Sequence, residues 1–224
     1  MALKPIRIFS HIAGLNPRKV LILLEELDLP YEVMEFPDFS TLHTPSFEKF
    51  NPNGRVPAII DPNNNDFILW ESGTILEYLV DRYDPDFKLH SKGTNDNWTE
   101  RQYMQFQMSG QGPYFGQASW FLWFHTEHIS SAVERYIKEI RRVTGVLDNI
   151  LKGKQYFMGD KMTHVDIAFV PWYFLTPRLD PELSKIVDEK YPNFKGWSER
   201  MLARPAVKKI KAQWEENMVT KMHK

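Results

Sequence analysis

A chain of 224 residues, 42% of them apolar, carries enough apolar matter for one large core or two modest ones. Its formal net charge of −1 gives no general attraction for phosphate backbones or anionic lipid. The absence of cysteine excludes disulfides, thiolate metal sites and an intrinsic redox thiol, so any sulfur chemistry has to use a thiol brought by a ligand.

The first third of the chain alternates short strand and helix signals. Ile6 and Ile8 share one face of a short strand, and Val20, Leu23, Leu24 and Leu27 then recur at helical spacing until Asp28-Leu29-Pro30 stops the helix. Tyr31 to Phe36 reads as a second strand. Val56–Ile60 and Phe67–Trp70 flank Asp61-Pro62-Asn63-Asn64-Asn65-Asp66, a composition suited to a hairpin loop. Ile75, Leu76, Leu79, Val80 and Tyr83 mark the helix that follows. The order βαβ–ββα predicts a small mixed sheet covered by helices, over residues 1–86.

Strand signals end in the polar run Asp81–Asn97, which places a linker at residues 87–95 and an all-helical domain at 96–224. Ile129, Val133, Tyr136, Ile137, Ile140, Val143, Leu147 and Ile150 keep steps of three and four over about six turns. Thr163-His164-Val165-Asp166 has the form of a capping box with Thr163 as N-cap, and Met162 and Ile167 stand where a hydrophobic staple would. Pro177, Pro181, Pro192 and Pro205 punctuate shorter helices. Lys208, Lys209, Lys211, Lys221 and Lys224 make the last segment locally basic and read as a solvated helix face. No apolar run approaches the roughly 18 residues that span a bilayer. The expectation is a cytoplasmic protein that engages neither membrane nor nucleic acid.

Pro57 is out of place among Val56, Ala58, Ile59 and Ile60, which are good sheet residues. A proline opening the third strand of such a domain is where a cis peptide bond becomes useful, since for X-Pro it costs only about 0.5–1 kcal/mol. The backbone of Val56 is then turned outward and can pair with an extended ligand, as in strand addition. Glu71 and Ser72 fall between a strand and a helix. Ser72 and the first N–H groups of that helix form a receptor for a carboxylate, and Glu71 one for an ammonium. Together these features describe a site for a small extended peptide with a free α-amino acid end, and glutathione is the obvious candidate.

At this point the sequence resembles a known family. RVPAIID followed by ILWESGTILEYLVDRY (Arg55–Asp61 and Ile68–Tyr83) is similar to the glutathione-binding half of cytosolic glutathione transferases, and THVDIAFVPW (Thr163–Trp172) to their helical half. FSHIAGLNPRKV, FNPNGRVPAIID and QMSGQGPYFGQASWFLWFH with AVERYIKEIRRV resemble, more narrowly, the fungal class related to the yeast nitrogen-regulator prion protein and the bacterial nu class. The resemblance implies an α/β thioredoxin-like domain followed by an all-α domain, glutathione as co-substrate, no metal, and a homodimer. It assigns Val56 and Pro57 to the cysteinyl backbone, Glu71 and Ser72 to the γ-glutamyl end, and Arg55 and His43 to further polar contacts, with His43 on the glycyl side.

Families of this fold differ in the residue that faces the thiol. Here the end of the first strand offers neither cysteine nor tyrosine, so Ser10 and Asn16 remain. The resembling fungal subgroup puts Asn16 first and Ser10 second. Asn16 before Pro17 is also an ideal helix N-cap, and the two roles are compatible. Tyr114, Phe115, Trp120, Trp123 and Phe124 are candidates to line a pocket for a hydrophobic electrophile. His125 and His128 stand one turn apart without a third metal ligand in view. The reaction expected is addition of glutathione to such an electrophile, in detoxification or in a dedicated biosynthetic step. The alternatives are glutathione-dependent reduction of peroxides or disulfides, and a non-enzymatic regulator. The yeast relative carries a long Asn/Gln-rich extension before its fold, whereas only Asn63-Asn64-Asn65 is Asn-rich here, which favours an enzyme.

Overall fold

The computed structural model describes residues 2–36 and 38–222. Lys224 and the side chain of Lys221, two of the five C-terminal lysines, lie outside the described residues. Two compact units are present: residues up to Asp86 together with those from Arg204 onward, and Phe87–Ala203.

The first unit is a four-stranded mixed sheet in the order β2-β1-β3-β4. Its elements are β1 (Ile6–His11), α1 (Leu15–Glu26), β2 (Tyr31–Phe36), α2 (Pro45–Glu48), β3 (Ala58–Asp61), β4 (Phe67–Trp70) and α3 (Ser72–Tyr83). β1 runs parallel to β2 and antiparallel to β3, and β3 pairs antiparallel with β4. The apolar stripe of α1, Val20 to Leu24, and Ile75, Leu76, Leu79 and Val80 of α3 are buried. Phe9, Leu42, Phe47, Ala58 and Ile60 form a further cluster, against which Phe36, Phe50 and Val56 pack. Each such side chain contributes about 1.5–3 kcal/mol by leaving water. The hairpin loop closes with Asn65 and Asp66 at φ 54°, a left-handed conformation that Asn and Asp tolerate better than most residues.

Three boundaries differ from the sequence reading. β3 begins at Ala58 rather than Val56, because Pro57 has no N–H for the ladder. α1 begins at Leu15 with Gly14 as N-cap, so Asn16 is the second helical residue and not the cap. Pro17 is tolerated there because the first N–H groups of a helix have no intrahelical acceptor. Its ring also lies where a Cβ on residue 14 would come within 3.1 Å, which suits glycine to the cap. The last helix, α11 (Pro205–Met222), groups with the first unit: Arg204 forks onto Glu26 at 2.7 and 2.6 Å, and Lys209 reaches Glu25 at 2.6 Å. The C-terminal lysines are therefore not all free in solvent. The 3₁₀ turn Phe39–His43 and the short α2, absent from the strand-and-helix pattern, fold the loop between β2 and β3.

The second unit holds α4 (Thr94–Phe106), α5 (Gly112–Trp123), α6 (Ser130–Ile150), α7 (His164–Tyr173), α8 (Thr176–Leu179), α9 (Leu183–Lys190) and α10 (Pro192–Ala203). The expected capping box is present at α7. Asp166 accepts from the Thr163 N–H at 2.9 Å, and also from the Phe157 N–H at 3.1 Å and the Trp197 indole at 2.8 Å. Burial pushes the Asp166 carboxyl up to about 6 despite these donors. A π-helical turn, Gln107–Gln111, joins α4 to α5, where Gln107 donates to Gln111 and Gln111 to the Phe169 carbonyl.

Candidate functional site

The sheet register gathers the predicted residues at one end of the first unit. Phe9 pairs with Ala58 and Ala58 with Trp70, so Ser10, Pro57 and Glu71 are each one step beyond that row. The Val56–Pro57 peptide is cis, and Val56 lies past the last ladder partner with its side chain half-buried on the Phe9–Phe47 cluster. Glu71 is the exposed N-cap residue of α3. It holds φ 70° and ψ 115°, a conformation in which non-glycine residues are uncommon and which costs on the order of 1–3 kcal/mol. Ser72 opens the helix and is only 1% exposed, with its Oγ accepting from Lys19 Nζ at 3.2 Å.

The loop before Val56 is tied down from within. Asn51, itself buried, donates to the Arg55 carbonyl at 2.6 Å and accepts from Asn53 N–H at 2.9 Å. Gly54 takes φ +62°, and a Cβ there would come within 2.5 Å of His43 Nδ1. His43 therefore lies directly against this loop, and both it and Arg55 are exposed.

Ser10 and Asn16 have different surroundings. Ser10 is fully buried, and Arg18 Nη1 donates to its Oγ at 3.1 Å. Arg18 also holds the Ile12 carbonyl at 2.9 Å and faces Glu35 at 3.8 Å; burial lowers its pKa, against the opposing pull of Glu35. Asn16 is half-buried in the first turn of α1, at the positive end of the helix dipole.

Arg18, Lys19 and Asn51 are absent from the sequence reading. Lys19 carried a signal: it stands four residues before Leu23, within the apolar stripe of α1, where a cation is unexpected. It is 1% exposed, and burial pushes its ammonium down to about 7, against an upward pull from Glu71. Chemically, the start of α3 with Ser72 and Lys19 suits a carboxylate, Glu71 an ammonium, and the start of α1 an anion such as a thiolate.

In the second unit the aromatic candidates divide. Phe115 is core, edge-on to Trp172 and Tyr173, and Tyr114 is half-buried near Tyr136. Trp120, Trp123 and Phe124 are exposed. His125 Nδ1 accepts from the Glu127 N–H at 3.1 Å, and among the described residues no three His, Cys, Asp or Glu side chains gather into a metal-holding group. Among those residues, too, no helix is long and apolar enough to cross a membrane.

Residues 4–81 match the model for the glutathione S-transferase N-terminal domain, and residues 113–205 the model for its C-terminal domain. The glutathione S-transferase-like protein tpcF of Aspergillus fumigatus is 46% identical over 217 residues, covering 92% of this chain and 95% of that protein. Among solved structures, the glutathione transferase URE2P6 of Phanerochaete chrysosporium, in complex with oxidized glutathione, superposes with a TM-score of 0.87 at 43% identity. That match covers 96% of this chain and 97% of the other. Ure2p5 of the same organism, cocrystallized with 1-(S-glutathionyl)-2,4-dinitrobenzene, gives 0.88 at 39% identity over the same shares.

Proposed function

The chain belongs to the glutathione S-transferase family, and from that premise we propose that it binds glutathione as the thiolate and adds it to hydrophobic electrophiles. The observation that carries this reading is the meeting of the Val56–Pro57 bend with Glu71 and Ser72 at one end of the sheet. In the proposed pose the γ-glutamyl carboxylate sits on Ser72 and the first turn of α3, and its ammonium on Glu71. The cysteinyl peptide runs along Val56, and the glycyl end lies towards His43 and Arg55. The unusual backbone of Glu71 supports a functional role, since such conformations cluster at ligand sites.

We assign the sulfur to Asn16 rather than Ser10, because the Ser10 hydroxyl is buried under Arg18. A thiolate at the start of α1 gains about 0.3–2 kcal/mol from the helix dipole, and a hydrogen bond to its charge about 1.5–3 kcal/mol. At about 1.36 kcal/mol per unit, these lower a thiol pKa near 8.5 by roughly one to three units, enough to make thiolate a main species at neutral pH without a base. A homodimer in the cytoplasm completes the proposal.

A second reading, glutathione-dependent reduction, has its own support in the oxidized glutathione bound by the URE2P6 relative. Turnover of an aryl halide, a hydroperoxide and a glutathione mixed disulfide separates the two. The transferase reading requires halide release and formation of the aryl thioether. Turnover of the last two substrates alone would replace it with the reductase.

A further inference from the structure

In the proposed pose Val56 meets the ligand through its backbone, so neighbouring residues and not a rotamer set the direction of its N–H. The Arg55–Val56 peptide is trans, and the C=O and N–H of a trans peptide point in opposite directions. Asn51 holds that C=O. Its side-chain amide donates to the Arg55 oxygen at 2.6 Å and accepts from the Asn53 N–H at 2.9 Å, so its nitrogen and oxygen are told apart by their partners.

Asn51 is itself anchored. It is 2% exposed, its N–H donates to the carbonyl of the core residue Phe47 at 3.2 Å, and its C=O accepts from the Gly54 N–H at 3.0 Å. The Arg55 oxygen is therefore drawn onto a buried support, and the Val56 N–H is turned away from it. The bonds from Asn53 and Gly54 already close the turn, and they need only the two oxygens of Asn51. The bond from Nδ2 to Arg55 is additional, and it acts on the peptide that carries the Val56 N–H.

We propose that Asn51 is a positioning residue of the cysteinyl subsite: by holding the Arg55 carbonyl it aims the Val56 N–H at the cysteinyl carbonyl of glutathione. This assignment rests on the glutathione reading and adds to it a buried residue that acts on the ligand through Val56.

The test is Asn51→Leu, which keeps nearly the same shape without donor or acceptor, titrated calorimetrically with three thiols. Glutathione has every group, γ-glutamylcysteinamide lacks the glycyl end, and γ-glutamylcysteamine lacks the cysteinyl carbonyl as well. The expected result is a rise in Kd of about 3- to 10-fold for the first two and a change within about twofold for γ-glutamylcysteamine. A loss confined to glutathione would place the effect on the loop at His43 and Arg55, and an equal loss for all three would mark a general loosening of the site. Either result overturns the assignment, as does unchanged binding of all three by a folded variant. Should Asn51→Leu fail to fold, amide exchange of the wild type decides. Glutathione and γ-glutamylcysteinamide should then slow exchange of the Val56 N–H and γ-glutamylcysteamine should not, whereas a Val56 N–H already protected in the empty protein, or left unprotected by glutathione, overturns the assignment. A wild type that binds no glutathione at millimolar concentration would instead overturn the glutathione reading, and this assignment with it.

Discussion

Ser72→Ala removes one oxygen from the centre of the proposed γ-glutamyl receptor and leaves the backbone of α3 intact. Ser72 is 1% exposed and accepts from Lys19 at 3.2 Å, so the change has two separable consequences. A hydrogen bond to a charged carboxylate is worth about 1.5–3 kcal/mol, which corresponds to a rise in the glutathione Kd of roughly 10- to 150-fold. Loss of an acceptor for the buried amine costs the folded protein about 1 kcal/mol, or roughly 2–4 °C in Tm for a protein of this size. Calorimetric titration with glutathione measures the first effect and thermal unfolding the second. A variant that folds normally and binds within about threefold of the wild type would refute the assignment of the carboxylate to this helix start.

Three other substitutions test neighbouring parts of the account. Asn16→Ala should raise the pKa of the bound thiol by about one to two units, with a smaller effect on affinity, and ultraviolet thiolate absorbance against pH reads this directly. Gly54→Ala introduces a Cβ at φ +62°, within 2.5 Å of His43 Nδ1. It should cost about 1–3 kcal/mol of stability by denaturant unfolding and displace His43 from the loop. Asp166→Ala deprives two backbone N–H groups and the Trp197 indole of their acceptor. At about 1–3 kcal/mol each, it should lower Tm by roughly 6 °C or more without changing the glutathione Kd of the protein that remains folded.

Much of the architecture was legible in the sequence because apolar periodicity and punctuation agreed. The strand alternation around Ile6 and Ile8, the hairpin chemistry of Asp61–Asp66 and the capping box at Thr163 each specify local geometry on their own. The Val56–Pro57 bend and the pair Glu71-Ser72 were legible for the same reason, since a proline in a strand and a serine at a helix start have few structural meanings. The capping role expected of Asn16 falls to Gly14, because Asn-Pro has the same form whether the cap is that residue or two earlier, and a Cβ at position 14 would crowd Pro17. The place of Lys19 within the apolar stripe of α1 was legible, but its partner was not, because the Ser72 hydroxyl comes from α3, more than fifty residues away. In the π-helical turn at Gln107–Gln111, Gln111 donates to the Phe169 carbonyl, a long-range partner that no local window contains. The grouping of α11 with the first unit likewise involves partners far off in sequence: Val207, Ile210 and Trp214 are buried, and Arg204 and Lys209 pair with the end of α1.

A crystal structure with glutathione measures directly where the tripeptide lies. The expected pose has the γ-glutamyl carboxylate within about 2.7–3.2 Å of the Ser72 hydroxyl and backbone N–H, its ammonium beside Glu71, paired backbone hydrogen bonds to Val56, and the sulfur nearest Asn16. Clear density for glutathione elsewhere on the protein, or in this cleft with its α-carboxylate turned away from α3, would contradict it.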